Sequence, residues 1–135
     1  MTKEIPSELL RVIDANINRL KEGIRVVEDI LRYRDSNKPL ALKLKTLRHK
    51  ATIDIYKELL AQRDSINDVL RPSTKSEQTR SSIEGILVAN FKRAQESSRV
   101  LEEIFKLQET ELSENFKSIR YELYTLEKEI ILHEM

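Results

Sequence analysis

Two short polar rows could do chemistry. Asn16, Arg19, Glu22 and Arg25 follow one another at steps of three, and 74 residues later Asn90, Arg93, Glu96 and Arg99 repeat the same order. An amide offers one donor pair and one acceptor, a guanidinium offers a forked donor suited to phosphate, and a carboxylate suits a hard cation. Arg48 and Arg120 add two more guanidiniums that fall within the apolar arcs of their own helices. A buried guanidinium costs several kcal/mol, on the order of what strong pairing returns, so an anionic ligand is the expected partner. A third cluster, "RDSIND", places Arg63, Asp64, Ser65 and Asp68 together and could hold phosphate and Mg²⁺, although turns also use Asp and Ser. A register-setting role for Asn16 and Asn90, with the charged residues pairing on the surface, is the alternative reading.

The elements that position these rows are helical. Only two Gly and three Pro occur in 135 residues, which excludes glycine-rich phosphate loops and disfavours a turn-rich β protein. The first helix runs from Ser7 to about Arg34, with Ile13, Ile17, Leu20, Ile24, Val27 and Leu31 on its apolar face. After the turn residues "DSNKP", a second helix is predicted to about Gln62, with Leu40, Leu44, Leu47, Ala51 and Ile55 buried. Residues 63–82 form the longest loop. Capping boxes at Thr74/Glu77 and Ser81/Glu84 give two candidate starts for the third helix, which is predicted to reach about Glu109. "TELSEN" is read as a break before a fourth helix from about Ser113, carrying Phe116, Ile119, Leu123, Leu126 and Ile130.

Residues 14–33 and 88–107 share eight identities in twenty, where chance gives roughly one or two. "LKTLRH" from Leu44 likewise resembles "FKSIRY" from Phe116. The expected fold is therefore all-α: four long helices in a bundle, built from a duplicated helical hairpin with pseudo-twofold symmetry. One domain is expected over 1–135, with repeat one at about 7–62 and repeat two at about 83–135. Gly23 and its counterpart Ser97 are read as close-packing positions. His49 and His133 are too few for a zinc site or a triad, and are read as surface residues. Tyr33, Tyr56, Tyr121 and Tyr124 are read as capping the edge of the core.

Lys and Arg (24) nearly balance Asp and Glu (23), so no net field draws the chain to nucleic acid or an anionic membrane. The absence of Cys removes disulfides and thiolate chemistry, and no apolar run has signal-peptide or membrane-span length. A soluble cytoplasmic protein is the default expectation.

"IDANINRLKEGIRVVEDILRY", "LKTLRH", "LAQRDSINDV" and "VANFKRAQESSRVLEEIFKL" together resemble the small helical domain found alone or fused to thiamine phosphate synthase, a monofunctional hydroxymethylpyrimidine phosphate kinase. The resemblance covers about Ile13 to Tyr124. It implies ATP-dependent phosphorylation of 4-amino-5-hydroxymethyl-2-methylpyrimidine phosphate to the diphosphate, with ATP and Mg²⁺ and a functional link to thiamine phosphate synthase. Set on the residues above, Arg19, Arg93 and Asp64 are the candidate catalytic groups. Asn16, Asn90, Arg48, Arg63, Arg25, Arg99 and Arg120 are candidates for substrate and phosphate, and Glu22, Glu96 and Asp68 for the metal. A non-catalytic module that binds the pyrimidine phosphate or a partner enzyme is the second reading, a structural or dimerisation bundle the third, and homo-oligomerisation is left open.

Overall fold

The computed structural model describes residues 4–135. Its helices are α1 (Ser7–Asp29), α2 (Lys38–Lys50), α3 (Tyr56–Gln62), α4 (Lys75–Gln78), α5 (Ile83–Phe105) and α6 (Thr110–His133), and the described residues contain no strand. α1 continues through one π turn, Ile30–Arg34, where Asp35 N–H reaches back to the Ile30 carbonyl at 3.3 Å. Asn37 then caps α2 by accepting from Leu40 N–H at 3.2 Å, with Pro39 in the first turn where its missing N–H costs nothing.

The second segment is not one long helix. It stops at Lys50 and resumes as the seven-residue α3. The apolar spacing of Ala51 and Ile55 disguises a run, "TIDI", that is poor in helix formers. β-Branched side chains lose rotamer freedom in a helix, and Thr and Asp compete for backbone hydrogen bonds. Lys21 Nζ donates to Thr52 Oγ1 at 2.8 Å and holds the break against α1. α3 then turns onto α1 and buries Leu59.

The later boundaries also move. The Thr74/Glu77 capping box forms, but around the single turn α4. α5 is capped by Ser82, one residue beyond Ser81, the second of the two candidate starts, through Gly85 N–H at 2.9 Å. The break before α6 falls at residues 106–109, so "TELSEN" is the first turn of α6. Ser113 does not cap, because its buried hydroxyl donates to the Glu102 carbonyl at 2.8 Å and ties α6 to the end of α5.

The helix faces are as the spacing predicts. Ile13, Ile17, Leu20, Ile24, Val27 and Leu31 are buried, as are Leu40, Leu44, Leu47, Ala51 and the α6 series from Phe116 to Ile130, while Ile55 packs half-buried at the edge. α1, α2, α3, α5 and α6 share one hydrophobic cluster, with Phe105 and Phe116 stacked at 5.6 Å between centroids. α1 packs chiefly on α5, and α5 on α6. A Cβ on Gly23 would lie 3.0 Å from the Asn90 carbonyl oxygen and 3.4 Å from Ala94 Cβ, so this glycine sets how closely α1 approaches α5. Among the described residues no helix is long and apolar enough to cross a membrane.

Candidate functional site

The first two members of each polar row come together where α1 packs on α5. Asn16 and Arg19 come from α1, one helical turn apart, and Asn90 and Arg93 come from α5. Around them lie two adjoining hollows. One, of about 610 Å³, lies between α1 and residues 63–68 and is lined by Asn16, Arg19, Glu22, Arg63, Asp64 and Asp68, among others. The second, of about 470 Å³, lies against α5 and is lined by Asn90, Arg93, Glu96, Arg80 and Lys92. Asn16, Arg19 and Arg93 line both, so the hollows are two lobes of one cleft.

The two asparagines are held alike. Asn16 Nδ2 donates to the Val12 carbonyl and Asn90 Nδ2 to the Ile86 carbonyl, each at 2.9 Å and each four residues back. That bond fixes the amide and leaves each Oδ1 as an acceptor with no protein donor among the described residues. Arg19 and Arg93 are exposed and, among the described residues, form neither an ion pair nor a hydrogen bond through their guanidiniums. Two positive charges thus face the junction of the lobes without an ion-pair partner among the described residues, although Glu77 and Glu96 line the α5 lobe beside them.

Other expected anion binders have protein partners instead. Arg48 donates to Glu28 through Nε at 2.8 Å and Nη2 at 3.3 Å, and Arg120 Nη2 donates to both oxygens of Glu102 at 3.0 and 3.4 Å. Glu28 and Glu102 are 1% and 3% exposed. The charge compensation that the sequence reading assigns to a ligand is supplied by these two glutamates, and neither arginine lines the cleft. Hydrogen bonds with Tyr124 and Glu102 raise the pKa of Arg120 above the usual guanidinium value. Arg25 pairs with Asp29 at 3.1 Å, and Arg99 pairs with Glu102 at 2.7 Å and Glu103 at 2.8 Å, so these two also lie outside both lobes.

Arg63 lines the cleft, held by a residue that the sequence reading passed over. Its Nε and Nη2 donate to the two oxygens of Asp14, both at 2.8 Å. Asp14 is 5% exposed and also accepts from Asn18 Nδ2 at 3.3 Å. Hydrogen bonding to Asp14 raises the Arg63 pKa above its usual value. Arg11 Nη2 donates to the Asp64 carbonyl at 3.2 Å, a second tether for the same segment. Asp14 left little signal because its counterpart in the second repeat is Val88.

The acidic candidates are divided between the two lobes. Asp64 accepts from Asn67 Nδ2 at 2.8 Å and Asn67 N–H at 3.1 Å, bonds that hold its pKa below the ordinary carboxylate value. Asp68 accepts from Leu70 N–H at 3.0 Å. Glu22 lies in the α1 lobe and Glu96 in the α5 lobe. No three acidic or histidine side chains among the described residues converge on a metal position. His49 and His133 are exposed, as expected.

Set in an all-helical domain, the cleft brings together paired amide acceptors and paired guanidiniums, groups whose chemistry suits amino donors and phosphate oxygens. The chain belongs to the ThiD2 family, whose model matches residues 11–129. It is similar to the thiamine-phosphate synthase of Nostoc punctiforme, at 37% identity over 98% of this chain and 38% of that protein. The thiamine-phosphate synthase of Thermosynechococcus vestitus is 39% identical over 93% of this chain and 36% of its own length. That of Rhodopirellula baltica is 34% identical over 98% and 36%. The chain thus spans under two-fifths of the length of these relatives. No solved structure matches it.

Proposed function

We propose that this chain is a phosphotransferase of thiamine biosynthesis that converts 4-amino-5-hydroxymethyl-2-methylpyrimidine phosphate to its diphosphate with ATP. The observation that carries the reading is the pair Arg19 and Arg93, unpaired and shared by both lobes. Transfer of a phosphoryl group chiefly requires positioning and neutralisation of charge on its oxygens. Two guanidiniums at a junction between lobes meet that requirement. The ThiD2 family and the thiamine-phosphate synthase relatives support the pathway. The attacking group is a phosphate oxygen of the acceptor, already ionised at neutral pH, so no histidine base is needed. It bonds to the γ-phosphorus while the bridge to the β-phosphate breaks and ADP leaves. Asn16 or Asn90 Oδ1 accepts from the pyrimidine amino group. No three acidic or histidine side chains among the described residues form a metal cage, so magnesium enters this reading as part of the Mg·ATP substrate.

The matched asparagine bonds and the matched ion pairs of Glu28 and Glu102 support a duplicated hairpin with pseudo-twofold symmetry. The test of function is direct. Purified chain incubated with Mg²⁺, ATP and the pyrimidine phosphate is expected to form the diphosphate. Arg19→Ala and Arg93→Ala are each expected to lower kcat/KM by about a hundredfold, the scale of one lost transition-state donor, with unchanged melting. The short coverage of the synthase relatives favours a second reading, a non-catalytic module that binds the pyrimidine phosphate or a synthase partner. Binding of the pyrimidine phosphate without diphosphate formation would decide for it.

A further inference from the structure

We infer that the two lobes are specialised: the α1 lobe takes the aminopyrimidine, the α5 lobe takes the nucleotide polyphosphate, and Arg19 and Arg93 hold the phosphoryl group passing between them. This division rests on the kinase reading. It comes from the positions where the two halves of the cleft differ. Asn16 with Asn90, Arg19 with Arg93, and Glu22 with Glu96 line the lobes alike. Against that common frame Asp14 corresponds to Val88 in the aligned repeats, and Asn18 to Lys92. Asp14 and Asn18 line the α1 lobe and Lys92 lines the α5 lobe, so one lobe has an acid and an amide where the other has a cation.

The charges follow. Five carboxylates and four guanidiniums line the α1 lobe, and Asp14 and the Asp64 carbonyl already occupy donors of Arg63 and Arg11. An excess of acceptors repels a polyphosphate and suits the amino group of a heterocycle. Asn16 Oδ1 is the acceptor placed for that group. It stands one helical turn from Arg19, a separation of about 5–6 Å that matches a small ring whose phosphate lies beside it. The α5 lobe has four cations, Arg19, Arg80, Lys92 and Arg93, against Glu77 and Glu96. Lys92 also pairs with Glu127 at 3.1 Å, which offsets part of its charge and still leaves four cations against three carboxylates. Cations in excess favour the chain of phosphates. The acceptor oxygen then attacks the γ-phosphorus at the junction, and ADP departs within the α5 lobe.

The test measures binding of each ligand alone to the full chain, using the pyrimidine monophosphate and a non-hydrolysable Mg·ATP analogue. Asn18→Ala and Arg63→Gln are expected to weaken the pyrimidine phosphate tenfold or more and the nucleotide less than twofold. Lys92→Gln and Arg80→Gln are expected to show the reverse. A swapped pattern, or equal losses of both ligands in every variant, overturns the division while leaving the kinase reading standing. Failure of the unmodified chain to bind either ligand removes the kinase reading, and the division with it.

Discussion

At the residue scale, the same amino acid serves two purposes in this chain, and the partner decides which. Arg48 and Arg120 sit over buried glutamates, whereas Arg19 and Arg93 have none. Removing one member of a buried pair leaves the other charge uncompensated, at a cost of about 3–5 kcal/mol. Glu28→Ala is therefore expected to lower unfolding stability by roughly 3 kcal/mol in urea, while Arg19→Ala changes it by less than about 0.5 kcal/mol. The polar rows themselves were legible, since period and repeat together put Asn16, Arg19, Asn90 and Arg93 beside the apolar arc. The partner of Arg48 was not, because an ion pair twenty residues apart in sequence depends on how α1 and α2 meet. The one available signal was that Glu28 and Glu102 are identical in the two repeats and each follows an apolar position.

At the element scale, residues 63–68 are fastened to α1 at two points, the Asp14 ion pair and the Arg11 hydrogen bond. Little else secures the segment, for Ile66, Val69 and Leu70 are 78%, 90% and 83% exposed. Asp14→Ala is expected to speed proteolytic cleavage within 63–72 several-fold while helical circular dichroism stays constant. Faster cleavage at the helices instead would show that Asp14 supports the bundle. The capping box around α4 depends on Glu77 being ionised. Hydrogen bonds from the Thr74 hydroxyl and backbone lower its pKa from 4.5, so the folded state holds that proton less tightly than the unfolded one. The contribution is present above that value and is lost as pH falls through the lowered pKa. An acid titration followed by NMR is expected to shift the Thr74 and Glu77 amides together. Helix faces could be read from spacing alone, but boundaries could not. The same i, i+4 pattern that marks Ala51 and Ile55 as one face continues across a break caused by "TIDI", where side-chain entropy and local hydrogen bonding outweigh periodicity.

At the scale of the whole molecule, the two lobes meet where α1 packs on α5, and Gly23 permits close approach of these helices. Gly23 has the Asn90 carbonyl and Ala94 against it, and Asn90 and Arg93 belong to the same turn of α5. The matched position in α5 is Ser97, whose hydroxyl donates to the Arg93 carbonyl at 2.8 Å and so needs less of the facing helix. Any side chain at residue 23 must push the axes apart or shift the Asn90 backbone. Backbone moves less readily than a side-chain tip, so overpacking of this kind costs about 1–3 kcal/mol. Gly23→Val is expected to lower stability within that range. Separation of the helices also moves Arg19 away from Arg93, so the variant is expected to bind inorganic pyrophosphate less tightly even where it remains folded. Ser97→Ala removes one hydroxyl bond without adding volume, and is expected to cost about 1 kcal/mol or less and leave pyrophosphate binding unchanged. A Gly23→Val protein that loses stability but keeps full affinity would show that the two guanidiniums act separately, each within its own lobe.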